Sequence, residues 1–175
     1  MKNKVILGLA LILALFTVSA TAGTNEFSKG SIFITPQIGL NEWTIPFGVN
    51  AEYAITPNIG VGATVMVWLW SDSYWSQSVI SPMIEGAYHF TKINVDKLDL
   101  YAGAGLGFAV YSWKWKNGAD GIGSDASSGI FVQPFVAARY YFSKSIAGML
   151  KFGWGLGNWG SYGATIGVTF RLPKS

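Results

Sequence analysis

One stripe of this sequence carries no charge, and it recurs eight times. From residue 32 the chain falls into eight segments that alternate with period two. Successive side chains of a strand point to opposite faces, so each segment has two faces to compare. Every second residue of 32–40, 47–55, 59–69, 80–90, 100–110, 130–142, 148–156 and 162–172 gives the first face, made of Ile, Val, Leu, Phe, Ala, Tyr, Trp, Gly and Pro. Charged residues make up 12% of the chain, yet none falls on it. The other face holds Thr35, Gln37, Asn50, Glu52, Thr64, Ser81, Glu85, His89, Gln133, Arg139, Lys151, Thr165, Thr169 and Arg171, together with many glycines.

A water-soluble barrel would bury the first face and wet the second, leaving a surface of glycine and threonine with few charges, which is poor for solubility. Lipid reverses the assignment. A charge facing hydrocarbon at mid-membrane costs roughly 2–4 kcal/mol, so a bilayer explains the uncharged stripe. Hydrocarbon satisfies no backbone N–H or C=O, so only helices and closed barrels span it. No stretch beyond the N-terminal leader has enough uninterrupted apolar residues for a helix, whereas about 9–11 residues suffice for a tilted strand. The expected fold is all-β: an eight-stranded antiparallel up-and-down transmembrane barrel.

The N-terminus has a separate logic. Lys2 and Lys4 precede an apolar run over 5–18 and a small-x-small site at Ala20-Thr21-Ala22. That predicts a signal peptide over 1–22, cleaved after Ala22, and a barrel domain over 23–175. Loss of the two lysines lowers the formal net charge from +3 to +1, so the basic balance is partly an export signal and not a nucleic-acid footprint. With no cysteine, neither a disulfide framework nor a thiolate zinc site is available. His89 is the sole histidine, which argues against a metal centre, and no cofactor is expected.

Connections at 56–58, 91–97 and 143–145 are short and use Thr, Ser, Pro and Asn, residues that make turns. Those near 41–46, 71–78, 113–128 and 158–161 include the longest, rich in Gly, Ser and Asp. Short periplasmic turns and longer external loops are the usual asymmetry, which sets both termini in the periplasm. Pro36, Pro82 and Pro134 sit inside strands and predict a bulge or a local break, because proline lacks a ladder donor. Trp43, Trp68, Trp70, Trp75, Trp113, Trp115 and Trp159 cluster at the loop ends. An interfacial girdle is one reading and a ligand-binding mouth the other. Trp68 and Trp70 have inward parity, and Lys114 and Lys116 flank Trp115 where lipid phosphates or plain solvent would meet them.

On the inward face Glu52, Glu85, Arg139, Lys151 and Arg171 come from five different strands, with His89 near a short turn. Eight strands leave a lumen that side chains can fill, and ions there should pair. The expectation is a plug of salt bridges; a gated, narrow path for small solutes or ions is the alternative.

Leu100-Tyr101-Ala102-Gly103-Ala104-Gly105-Leu106-Gly107 and the strand Thr165-Ile166-Gly167-Val168-Thr169-Phe170-Arg171-Leu172 resemble the small outer-membrane β-barrel family that includes outer membrane protein X and the barrel domain of outer membrane protein A. The resemblance spans 30–172. It implies residence in a bacterial outer membrane among lipid and lipopolysaccharide; no nucleic-acid partner is expected, and the sequence leaves the oligomeric state open. Thr165, Gly167, Phe170 and Leu172 are similar to the signal read by the barrel-assembly machinery, although Pro173-Lys174-Ser175 departs from the family's usual aromatic terminus. Some barrels of this size modify lipid A with serine and histidine near the outer loops. Here His89 lies at the other end, and Ser71, Ser73, Ser76 and Ser78 have no basic partner, so no catalytic residue is expected. The sequence points to a non-enzymatic envelope protein with a structural or surface-contact role.

Overall fold

The computed structural model describes residues 26–40, 45–92, 95–115, 125–157 and 162–172. The expected signal peptide, Trp43, Lys116 and Trp159 lie outside them. Eight strands form: β1 (Ile32–Leu40), β2 (Phe47–Ala54), β3 (Ile59–Ser71), β4 (Trp75–His89), β5 (Leu98–Trp115), β6 (Asp125–Tyr141), β7 (Ile146–Trp154) and β8 (Tyr162–Leu172). Each pairs antiparallel with its sequence neighbours, and β1 pairs with β8, so the sheet closes on itself.

The pairing is staggered. Leu40 is level with Ala164, then with Phe152, Val136, Ala102, Tyr88 and Ile59 on successive strands. Ile59 is held by Ile55 beside the Ala54–Gly30 contact, so the circuit returns about ten residues before its start. The strands therefore tilt strongly, and the interior is narrow enough for side chains to fill.

Alternation sorts the side chains as expected. Ile38, Ile84, Leu106, Val136 and Phe152 stand exposed on the outer surface, while Thr35, Glu52, Thr64, Arg139 and Thr169 are buried inside. Inward glycines make room for large neighbours. A Cβ at Gly60 would strike the Glu52 carboxylate, and one at Gly107 would strike the Phe131 ring. Phe33, Met83, Tyr101, Phe131 and Phe135 fill space that the polar inward set alone would leave empty.

The three prolines break the ladder without bulging it. Pairing of β1 with β8 lapses between Ile34↔Phe170 and Gln37↔Gly167 and resumes in the same register. The same lapse occurs between Ile80↔Val110 and Met83↔Gly107 beside Pro82. Beside Pro134 it occurs between Phe135↔Gly153 and the single bridge Val132↔Leu156. A missing donor removes one bonded rung; an unchanged register means that no extra residue was inserted.

Two expected loops prove to be partly strand. β4 begins at Trp75, β5 runs to Trp115 and β6 starts at Asp125, so the connections near 71–78 and 113–128 are shorter than expected. The short turns are built by hydroxyls. Thr56 Oγ1 accepts from the amides of Asn58 (3.2 Å) and Ile59 (2.9 Å), and Ser143 Oγ accepts from Ser145 (3.3 Å) and Ile146 (3.1 Å).

Candidate functional site

The interior is layered along the barrel axis. At the end with the short turns, Glu52 on β2, His89 on β4, Asp99 on β5 and Arg139 on β6 converge. His89 Nε2 lies 2.8 Å from Glu52 Oε1 and its Nδ1 lies 2.9 Å from Asp99 Oδ1. Carboxylates only accept, so both contacts are hydrogen bonds when each ring nitrogen carries its proton. Arg139 donates through Nη2 to Glu52 Oε2 at 2.6 Å and through Nη1 to Asp99 Oδ2 at 3.4 Å. With His89 protonated, two cations face two carboxylates and the layer is neutral. Neutrality and close pairing are what make such burial tolerable at low dielectric, although the Nε of Arg139 is buried without a hydrogen-bond partner.

Aromatic rings seal this layer. The His89 ring is sandwiched between Phe27, at 3.5 Å between centroids, and Tyr101, at 4.7 Å. The Arg139 guanidinium lies 4.6 Å from the Phe33 ring centre and 5.0 Å from that of Tyr101. Phe27 belongs to the segment before β1, which folds across the turn end as a lid. Arg171 fastens the lid: it donates to Glu26 and, at 3.2 Å each, to Ser28 and Ser31.

Nearer mid-barrel a second pair spans the lumen. Lys151 Nζ donates to Glu85 Oε2 at 2.6 Å, and the other Glu85 oxygen accepts from Thr64 (2.8 Å) and from Asn50. Lys151 also sits 4.3 Å from the centre of the Phe135 ring. Above it lies a cavity of about 60 Å³, lined by Gln37, Thr64, Met66, Trp68, Ser81 and Gln133 among others. That volume accommodates a few waters and no solute of ordinary size.

The structure thus gathers Glu52, His89 and Arg139 into one cluster and Glu85 with Lys151 into another. It sets Arg171 apart from both, on the lid, where a single inward network had been expected. Sequence reasoning missed Asp99, although it has the parity of Tyr101 and Gly103; the turn had been drawn to reach Lys97 and the strand to begin at Leu100. It also missed Phe27, which precedes the alternating region. Among the described residues no group of histidines and carboxylates has the make-up of a metal site.

Trp68 lines the cavity, and Trp70 stacks on Trp75 with ring centres 6.0 Å apart and planes 3° from parallel. Trp113 pairs with Gln77 through the backbone and Trp115 with Trp75. On β8, Thr165 faces the cavity, Gly167 passes close to Pro36, and Phe170 and Leu172 point outward.

Solved structures share this geometry. The outer membrane protein OprG of Pseudomonas aeruginosa superimposes with a TM-score of 0.67 at 8% identity, covering 85% of this chain and 99% of that one. Neisserial surface protein A gives 0.60 at 12%, covering 81% and 95%. The N-terminal barrel domain of P. aeruginosa OprF gives 0.59 at 18%, covering 82% and 98%. The fold is that of the small eight-stranded outer-membrane barrels. No protein-family description matches the chain, and no curated protein matches it at a significant level. The likeness is therefore one of architecture, which by itself transmits no activity.

Proposed function

We propose that the protein is a non-enzymatic integral barrel of the bacterial outer membrane, closed to solutes, with a structural or surface-contact role. One observation carries the reading: a lumen crossed by two layers of buried ion pairs lies inside a coat of exposed Ile, Val, Leu and Phe. The coat suits hydrocarbon, and the buried ion pairs together with Phe27, Phe33 and Tyr101 occupy the turn-end half of the lumen. The chain is exported with cleavage after Ala22, and the barrel-assembly machinery reads the last strand through Thr165, Gly167, Phe170 and Leu172. The short turns and both termini face the periplasm, and the long connections face outward among lipopolysaccharide.

Reconstitution into planar bilayers tests the closed lumen. The expected record is a flat baseline over the physiological voltage range. Steady, stepwise openings that change on Glu85→Gln would instead establish a channel.

A further inference from the structure

Beyond the membrane band the barrel wall changes character. β3, β4, β5 and β6 continue in unbroken register past the level of Ser78 and Ser112 toward the loop end. Below that level, apolar residues point out and polar ones point in. Above it the order inverts. Around and beyond it the outward positions are Leu69, Ser71, Ser76, Ser78, Ser112, Lys114, Ala126 and Ser128, mostly polar, while the inward face carries Trp68, Trp70, Trp75, Tyr111 and Trp113, interleaved with Gln77, Val79, Asp125 and Ser127.

Tryptophans of an interfacial girdle point toward lipid. These share the sheet face of Thr64 and Glu85, which looks into the lumen. Trp68 lines the interior cavity, so the aromatic face is continuous with the barrel's inside. Trp70 is 41% exposed and runs parallel to Trp75 in an offset stack, forming a plate of two indoles. A concave aromatic surface with a few polar groups is the usual make-up of a small-ligand site.

The residue types select the ligand. Where this chain meets hydrocarbon it uses mostly Ile, Val, Leu and Phe. Here it uses Trp and Tyr with Gln77 and Ser127 as hydrogen-bonding neighbours, and one acidic residue, Asp125, takes the inward register position opposite Trp113 at the rim. That combination matches a molecule that is apolar across its faces and hydroxylated around its rim. We infer that the inner face of the β3–β6 extension binds neutral saccharides, with pyranose rings lying on Trp70 and Trp68 and hydroxyls met by Gln77 and Ser127. The inference deepens the surface-contact reading proposed above by naming what the outward end contacts.

The test uses the full mature chain in phospholipid nanodiscs, because an alkyl maltoside would itself present a sugar headgroup. Maltohexaose and cellohexaose are titrated calorimetrically, with a sulfated hexasaccharide and lauric acid as competitors of other chemistry. Saturable binding of a neutral hexasaccharide is expected, weakened at least tenfold by Trp70→Ala and by Trp68→Ala. Trp154→Ala, on the lipid-facing side, leaves it unchanged. Heat-modifiable gel mobility establishes that each variant is folded. Absence of binding to both neutral probes, binding that survives both tryptophan substitutions, or binding confined to the sulfated sugar or the fatty acid overturns the inference. The proposed closed outer-membrane barrel stands or falls separately, on the bilayer recordings.

Discussion

The two ends of this barrel solve opposite problems with one sheet. At the turn end, water is excluded on the inside and lipid lies on the outside, so charges are driven inward and must be matched. Glu52, Asp99, His89 and Arg139 are matched there, and Phe27 and Tyr101 cover them. At the loop end the strands run past the level where the outward residues stop being apolar. Serines and Lys114 take the outside and indoles take the inside. The same period of two serves both arrangements, and the polarity of the surroundings decides which face receives which residues.

Breaking the turn end should have the largest effect. Arg139→Ala leaves two buried carboxylates facing one imidazolium, which costs about 3–5 kcal/mol. Urea-gradient refolding in lipid should show it as a large drop in the folded fraction. A triple change, Arg139→Met with Glu52→Gln and Asp99→Asn, removes the guanidinium and both carboxylates, lets His89 stay neutral between two amides, and should recover much of that loss. If the triple variant is as unstable as Arg139→Ala, the layer matters for shape and not for charge matching.

The outer surface gives the sharpest contrast. Ile84, 66% exposed at the middle of the outward band of β4, should not tolerate arginine: the expected cost is roughly 2–4 kcal/mol. Ser76→Arg, on the same face of the same strand beyond the switch, should shift stability by no more than about 0.5 kcal/mol. Equal penalties at the two sites would erase the proposed boundary between lipid and water. The smallest structural effect is expected of Trp70→Ala, which forfeits one indole stack worth about 0.5–1.5 kcal/mol in an exposed setting. Loss of folding in that variant would make the aromatic plate a structural element.

The sequence made the barrel legible because lipid imposes a strict rule on every outward position, and eight segments obey it together. Glu52, Glu85, Arg139 and Lys151 were legible by parity alone. The pairing among them was not, since partners on β2, β4, β6 and β7 meet only through the stagger of the closed sheet. Asp99 escaped because it sits one residue beyond the apolar rhythm of β5, where strand and turn look alike. The extension of β4, β5 and β6 escaped for a better reason. A search for an apolar outward stripe ends where that stripe turns into serine, although the backbone pairing carries on unchanged. The prolines were legible as interruptions, but only the register shows that no residue was inserted.

Lipid contact, read residue by residue, tests the orientation on which all of this stands. The protein is placed in nanodiscs containing phospholipids spin-labelled along the acyl chain, and side-chain NMR signals are compared with and without the label. The outward Ile84, Leu106 and Val136 should broaden strongly, while the signals of Arg139 and Lys151 stay sharp. Broadening of Arg139 or Lys151 by acyl-chain labels, with the isoleucine and leucine signals spared, would mean that the sheet faces the other way.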